Sequence, residues 1–216
     1  MNTLKAAFLA SAITLAAGSA GASNLIVNGG FAGPNAPNGG FTTVSTNGVI
    51  PGWSLFAGNV DWITGYWQSS DGDGFSVDMD GTTQGAIGQY ITTVVGKTYN
   101  LTFDMSGNPD AGADTDILGV FANGFLSPIA TYSVTGANSH GNMNWSQRSY
   151  TFTANSSSTL IGFQSFNQNL CCYGAAIDNV SVSGAVPEPA TWGMMILGFG
   201  AAGSMIRRRK AVSAAA

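Results

Sequence analysis

Short segments in which apolar and polar residues alternate run through the middle of this chain, and they constrain its fold most. In the clearest segment, Tyr99, Leu101 and Phe103 alternate with polar neighbours. Successive side chains of a strand point to opposite faces, so such a segment turns one row toward a core and the other toward water. Because residues 23–184 contain no long apolar run of helical period, the pattern indicates an all-β domain.

Similar segments recur along residues 23–184, and clusters of Gly, Asn, Asp and Pro separate them as turns do. About ten short strands at this spacing are typical of two antiparallel sheets packed face to face. We therefore predict a two-sheet antiparallel β-sandwich of the jelly-roll kind. The predicted strands are residues 25–27, 41–44, 75–79, 86–93, 99–105, 118–121, 129–134, 149–153, 160–166 and 176–182.

The first 22 residues predict a signal peptide, as a helix that flanks the β domain. Lys5 supplies a positive charge, and residues 6–17 form an apolar run that is too short to span a bilayer. Ala20 and Ala22 place small residues where signal peptidase selects its cleavage site. We expect export through the Sec translocon and a mature chain that begins at Ser23. The alternative is an N-terminal helix packed on the domain.

Residues 185–210 predict a membrane-sorting segment in three parts. Two prolines in residues 186–190 break the chain, and residues 190–206 are uncharged and largely apolar, as in a short transmembrane helix. The basic residues that follow stop translocation and stay in the cytoplasm, so the β domain faces the other side of the membrane. Residues 211–216 are predicted to be a disordered tail. The processing residues are Pro187, Glu188, Pro189, Arg207, Arg208 and Arg209, with Lys210 completing the basic stop.

This order of Pro-Glu-Pro, Gly-rich apolar helix and basic cluster resembles the PEP-CTERM sorting signal of bacteria that make exopolysaccharide. The resemblance implies an exosortase, a membrane protease that recognises and removes the tail. It also implies a transient inner-membrane intermediate with a cytoplasmic C-terminus. The final location would be the cell surface or extracellular matrix of a Gram-negative bacterium. A permanent single-pass anchor is the alternative.

The β domain resembles the choice-of-anchor C domains, and more distantly the DUF642 and galactose-binding-like sandwiches that include many carbohydrate-binding modules. The resemblance implies a galactose-binding-like sandwich. One departure is Ala32, because relatives commonly carry an acidic residue there that supports a structural calcium site. The stretches that carry the resemblance are residues 24–31, 52–53, 60–61, 65–68, 71–72 and 176–182.

The exported part is strongly acidic. Residues 23–184 contain two cations, Lys97 and Arg148, against ten Asp. Such a domain repels phosphate backbones, which excludes nucleic acid, and it favours cations, cationic partners or neutral glycans.

Aromatic residues are concentrated in residues 53–67, and aromatic rings stack on the apolar faces of sugars. The alternative is core packing, which we favour for Trp53 and Trp67. The predicted glycan-binding residues are Trp62, Tyr66, Trp67, Gln68 and Asp71.

Carboxylates on Gly-rich segments predict a structural calcium ion, because this ion prefers oxygen ligands on a flexible backbone. The alternatives are solvated turn residues for the first four and, for the last, a buried carboxylate that binds backbone amides or Arg148. The calcium candidates are Asp71, Asp73, Asp78, Asp80 and Asp178.

The chemistry of catalysis is poorly represented, so we predict that the protein is not an enzyme. The single histidine, His140, lies in a Gly/Asn/Ser loop without a Gly-x-Ser-x-Gly motif. Cys171 and Cys172 predict a disulfide in an oxidising compartment, with an intermolecular bridge or two free thiols as alternatives.

The sequence therefore predicts an exported, non-catalytic surface protein that associates with extracellular polysaccharide, or exopolysaccharide, in a biofilm. The alternatives are a structural biofilm matrix protein without a specific glycan ligand, and a glycoside-active enzyme.

Overall fold

The computed structural model describes residues 23–112, 114–135, 137–167, 172–184 and 197–200. Eleven strands lie within the described part of residues 23–184. They are β1 (Gly40–Val44), β2 (Ser54–Ala57), β3 (Val60–Thr64), β4 (Phe75–Asp78), β5 (Ala86–Thr92), β6 (Thr98–Ser106), β7 (Thr115–Ala122), β8 (Ala130–Thr135), β9 (Ser146–Thr153), β10 (Ser158–Ser165) and β11 (Ala176–Gly184).

The strands form two antiparallel sheets. The six-stranded sheet has the order β1-β3-β4-β11-β6-β9, and the five-stranded sheet has the order β2-β5-β10-β7-β8. The predicted two-sheet antiparallel sandwich is confirmed.

Two strands were not predicted, and one predicted strand does not form. All five residues of β3 are buried, so this strand lacks the alternation that marks a half-buried strand. β2 has only four residues, and most of them are exposed. Residues 25–27 run beside β11 without joining a ladder, although the Leu25 amide donates to the Val182 carbonyl at 2.8 Å.

The main core lies between the sheets and follows the predicted alternation. Leu101, Phe103 and Met105 of β6 are fully buried, as are Ile161 and Phe163 of β10. The Phe103 and Phe163 rings lie 5.0 Å apart at their centroids, with their planes at 70°. This edge-to-face contact joins the two sheets.

A second, smaller cluster lies on the outer face of the six-stranded sheet, which is the face turned away from the main core. It contains Ile63, Trp67, Met143 and Ala176. Two loops cover it, the loop after β3 and the loop before β9. They are joined by a hydrogen bond, in which the Trp145 indole N–H donates to the Gln68 carbonyl at 2.8 Å. The outer face is therefore partly roofed by loops, which makes a concave surface possible there.

The chain divides into two compact units, residues 22–185 and residues 1–21 with 186–216. In the second unit, residues 197–200 are helical. The predicted signal peptide lies outside the described residues, as does the predicted sorting segment apart from residues 197–200. Among the described residues, no helix has the length and apolar character needed to cross a membrane. The two flanking helices remain predictions.

Candidate functional site

A cleft of about 460 Å³ opens on the outer face of the six-stranded sheet, at the edge formed by β1 and β3. The register pairs Phe41 with Ile63 and Thr43 with Asp61, so these four side chains share one face. Residues that follow β3, β4 and β6 complete the walls together with residues that precede β11. The volume lies within the range of small-molecule sites, about 300–1,000 Å³.

The rim of the cleft is aromatic and accessible. Phe41 is 50% exposed, and Tyr173 is 45% exposed. Tyr66 lies 5.2 Å from the Phe41 ring in an edge contact and 4.6 Å from the His140 ring. These rings offer apolar surface to a bound molecule.

Asp110 orders one side of the rim. Its Oδ2 accepts the Tyr66 hydroxyl at 3.0 Å, and its Oδ1 lies 2.9 Å from His140 Nε2. The hydrogen bond to Asp110 raises the pKa of the Tyr66 hydroxyl, with a smaller contribution from burial. Asp110 thus fixes the orientation of the Tyr66 ring beside the cleft.

Asp61 lies in the wall of the cleft with 8% of its surface exposed. Its Oδ1 accepts the Thr43 hydroxyl at 2.6 Å, while Oδ2 accepts no hydrogen bond from the described residues. Burial raises the pKa of the Asp61 carboxyl, and the Thr43 hydrogen bond opposes this rise. The carboxylate is therefore poorly compensated and available to a ligand.

Next to the cleft lies a carboxylate network, in which Asn108 and Asn167 bridge the buried Asp78, Asp80 and Asp116. The Asn108 side-chain amide donates to Asp78 at 2.7 Å, and the Asn108 backbone amide donates to Asp116 at 3.0 Å. The Asn167 side-chain amide donates to Asp80 at 2.9 Å and to Asp116 at 3.0 Å. Oδ1 of Asp80 is buried and has no hydrogen-bond partner among the described residues.

The carboxylate network has raised pKa values because burial disfavours the charged form. Burial raises the pKa of Asp116 to about 6 and the pKa of Asp78 well above its ordinary value. Burial also raises the pKa of Asp80. Within the described part of the chain no Lys or Arg is paired with these groups, so asparagine amides provide the compensation.

Asp178 is fully buried at a separate place in β11. Its oxygens accept the backbone amides of Ser70 at 2.8 Å and of Asn179 at 2.7 Å. Binding of backbone amides was one of the alternatives to calcium for this residue. Burial raises the pKa of Asp178 to about 7. Arg148 instead lies over the Tyr132 ring, 5.8 Å from its centroid. Asp178 therefore ties the loop after β3 to the last strand.

Trp62 and Trp67 were both glycan-binding candidates, and this prediction is wrong for both because their rings are buried; for Trp67 the favoured alternative, core packing, holds. Trp62 is fully buried, and its indole N–H donates to the Phe31 carbonyl at 2.8 Å. Trp67 is 4% exposed, and its indole N–H donates to the Ser76 hydroxyl at 2.9 Å. Trp67 borders the cleft but does not present a free ring face.

The other three glycan candidates differ in position. Tyr66 lines the cleft, whereas Gln68 and Asp71 do not. Gln68 holds the loop before β9 in place, since its backbone amide donates to the His140 carbonyl at 2.8 Å. Asp71 closes an exposed turn by accepting the Asp73 amide at 3.0 Å. Glycan binding by Tyr66 stays a prediction.

The calcium candidates do not converge on one position. Asp71 and Asp73 form an exposed turn, while Asp78 and Asp80 belong to the carboxylate network. Asp178 accepts the backbone amides of Ser70 and Asn179 and lies near the Asp71 turn, where burial and, to a smaller extent, the charge of Asp71 raise its pKa. In the described ranges, no three or more Asp, Glu, His or Cys side chains are arranged to hold a metal ion. Calcium stays a prediction: a structural ion would make EGTA lower the melting temperature, and an unchanged midpoint would count against it.

Cys172 is disulfide-bonded. Cys171, the other cysteine of the chain, lies outside the described residues. The predicted pairing of the two therefore stays a prediction.

Several residues of the cleft were missed from the sequence, among them Phe41, Thr43, Asp61 and Tyr173. The alternation in residues 41–44 indicates that Phe41 and Thr43 share a face. The pairing of β1 with β3 that brings Asp61 beside Thr43 leaves no signal in one sequence. Tyr173 follows the cysteine pair and has no periodic context.

Comparison with known proteins gives matches for both parts of the chain. Residues 24–183 match a family model described as "Protein of unknown function (DUF642)", and residues 185–210 match the PEP-CTERM protein-sorting motif. Halomucin of Haloquadratum walsbyi is 32% identical over 171 residues, which are 74% of this chain. The chain spans 2% of the length of Halomucin.

Among solved structures, an arabinose-bound α-L-arabinofuranosidase is similar with a TM-score of 0.52 and 12% identity, over 77% of this chain and 27% of that chain. CBM35 from Paenibacillus barcinonensis has a TM-score of 0.44 and 21% identity, over 66% of this chain and 98% of that chain. At 12% identity, the likeness to the arabinofuranosidase bears on the fold alone. The family match covers most of the chain, which therefore belongs to the DUF642 family and carries a PEP-CTERM sorting motif.

Proposed function

We propose that this protein is an exported surface protein whose β-sandwich binds a carbohydrate in the cleft without transforming it. The observation that carries the proposal is the joint presence of exposed rings and a poorly compensated carboxylate in one concave site. Phe41, Tyr66 and Tyr173 supply the rings, and Asp61 supplies the carboxylate.

The chemistry of a sugar fits these groups. One face of a pyranose ring carries C–H groups and packs on an aromatic ring, while its hydroxyls need hydrogen-bond partners at the edge. Asp61 can accept from a hydroxyl, and the Thr43 and Thr82 hydroxyls lie in the same cleft. Tyr66 is held in place by Asp110, so little ordering is needed when a ligand binds.

The sorting motif supports the proposed route of the protein. Residues 185–210 match the PEP-CTERM motif, which supports processing by an exosortase-type membrane protease. We propose that Sec-dependent export and a transient inner-membrane stage precede delivery to the cell surface or extracellular matrix. Extracellular polysaccharide, the main component of a biofilm, is then the proposed partner.

A binding role is favoured over hydrolysis by the state of Asp78, the carboxyl paired with Asp61 across β3 and β4. Asp78, which borders the cleft, has both oxygens occupied by Asn108 and by the Gly174 and Asp80 amides. A glycosidase needs two carboxyl groups free to reach the scissile bond from opposite sides. Asp78 cannot take such a role while it holds these partners.

Binding should depend on the rings of the cleft. We expect Tyr66→Ala and Tyr173→Ala each to weaken oligosaccharide binding about tenfold, because each removes a ring from the rim. The measurement is titration calorimetry of the full chain with a panel of neutral oligosaccharides. Tyr90→Ala is the matched control, since Tyr90 is 66% exposed on β5 of the other sheet. If no oligosaccharide binds, or if Tyr90→Ala weakens binding as much, the proposal fails.

A further inference from the structure

We propose that the cleft selects amino sugars whose nitrogen carries a positive charge, with the ammonium group placed against Asp61. This inference rests on the proposed function, because it names the class of sugar that the same cleft prefers. Three independent features of the described residues lead to it.

The first feature is the charge of the cleft. Asp61, Asp78 and Asp110 line it, and no Lys or Arg does so among the described residues. The two cations of the β domain are elsewhere, with Lys97 in the turn between β5 and β6 and Arg148 over the Tyr132 ring. A cleft lined by one sign of charge concentrates ligands of the opposite sign.

The second feature is the incomplete compensation of Asp61. A carboxylate that is buried to this extent normally has a cation or several hydrogen-bond donors. Asp61 accepts a hydrogen bond from the Thr43 hydroxyl on Oδ1 only. Its partner on the neighbouring strand β4 is another carboxyl, Asp78. An ammonium group at Oδ2 would supply both a charge and a donor. The raised pKa of Asp61 is consistent with this lack of a partner.

The third feature is the position of the aromatic rings. Phe41 borders the cleft beside Asp61 on the same sheet face, and Tyr66 contacts Phe41. Ring faces attract cations as well as sugar C–H groups, so they favour a sugar that carries an ammonium group. A lysine side chain has the same charge but no apolar ring face, and it would leave the rim largely unused.

The same features disfavour acidic sugars. A uronate or sulfate group in the cleft would face the Asp61 carboxyl, and no Lys or Arg among the described residues lines the cleft to balance it. A neutral N-acetyl sugar would retain the ring contacts but lose the charge pairing. The expected order of affinity is therefore amino sugar, then N-acetyl sugar, then uronate.

The test compares four oligomers of equal length on the full chain, at about pH 6 and low salt. They are oligomers of glucosamine, N-acetylglucosamine, galacturonate and lysine. We expect the glucosamine oligomer to bind about tenfold more tightly than the N-acetylglucosamine oligomer. Added salt should reduce this difference, because charge pairing is screened.

Asp61→Asn should remove the preference while N-acetylglucosamine binding persists. Asp104→Asn is the matched control, since this half-exposed carboxyl on β6 does not line the cleft. The selectivity of the unsubstituted protein is decisive even if Asp61→Asn does not fold.

The outcomes separate this inference from the proposed function. Equal binding of the glucosamine and N-acetylglucosamine oligomers overturns the selectivity and leaves glycan binding intact. Binding of neither also overturns the selectivity, and the proposed function itself fails only if the panel of neutral oligosaccharides does not bind either. A lysine oligomer that binds as tightly as the glucosamine oligomer, and that depends on Asp61, overturns the inference in favour of a cationic peptide.

Discussion

The protein is expected to be most stable in mildly acidic solution, with a melting temperature that falls as the pH rises from about 4 to about 7. Asp116 and Asp178 have folded-state pKa values of about 6 and about 7, against 3.8 for an ordinary Asp. Between these values the folded state retains protons that the unfolded state has released. The free energy of unfolding therefore falls as the pH rises through this window, and it levels off above it.

The size of the effect follows from the difference in pKa. For Asp116, a value of about 6 against 3.8 corresponds to ~3 kcal/mol lost by neutral pH. In a domain of this size ~3 kcal/mol lowers the melting temperature by roughly 6–12 °C. Thermal unfolding followed by circular dichroism between about pH 4 and about pH 8 measures it.

Single substitutions assign the effect to its sources. Asp116→Asn and Asp178→Asn should each make the pH dependence shallower, because each removes one proton-binding site of the folded state. A melting temperature that rises steadily from about pH 4 to about pH 7 would contradict the account of these buried groups.

Replacement of Trp62 by Ala is expected to reduce the free energy of unfolding by about 3–5 kcal/mol, the usual cost of removing a large buried aromatic side chain. Trp62 is fully buried and donates its indole N–H to the Phe31 carbonyl. Its packing is tight, because a Cβ added at Gly33 would lie 2.8 Å from the Trp62 ring. Urea denaturation of the substituted and original chains measures the difference.

Tyr66→Ala serves as the comparison for this effect, since Tyr66 is half-buried at the rim of the cleft and lies outside the main core. We expect it to reduce the free energy of unfolding by about 1 kcal/mol, well below the effect of Trp62→Ala. If the free energy of unfolding of Trp62→Ala differs from that of the original chain by less than about 1 kcal/mol, Trp62 is not the core residue described here. The two substitutions thus separate packing from ligand binding.

The alternation of residues was sufficient to predict the sandwich, since a half-buried strand marks its own faces. β6 shows this best, because its three central apolar residues point to the core as predicted. β3 escaped prediction because the loops after β3 and before β9 bury its outer face as well. Burial of both faces removes the period of two that a sequence can reveal.

Strand register and covering loops also explain why only some of the predicted glycan-binding residues line the cleft. Trp62, Tyr66 and Trp67 are close in sequence, but only Tyr66 reaches the rim of the cleft with an accessible ring. Whether an aromatic residue points to the core or to a ligand depends on strand register and on the covering loops. Asp61 was missed for this reason, because its pairing with Thr43 of β1 is a long-range property.

The most direct test of the central claim is a map of amide chemical-shift changes when the isotope-labelled protein binds a glucosamine oligomer. The account predicts the largest changes in β1 and β3 and at Tyr66, Asp110 and Tyr173. Changes concentrated around Tyr90 and Phe56 on the five-stranded sheet, or none at saturating oligomer, would contradict it.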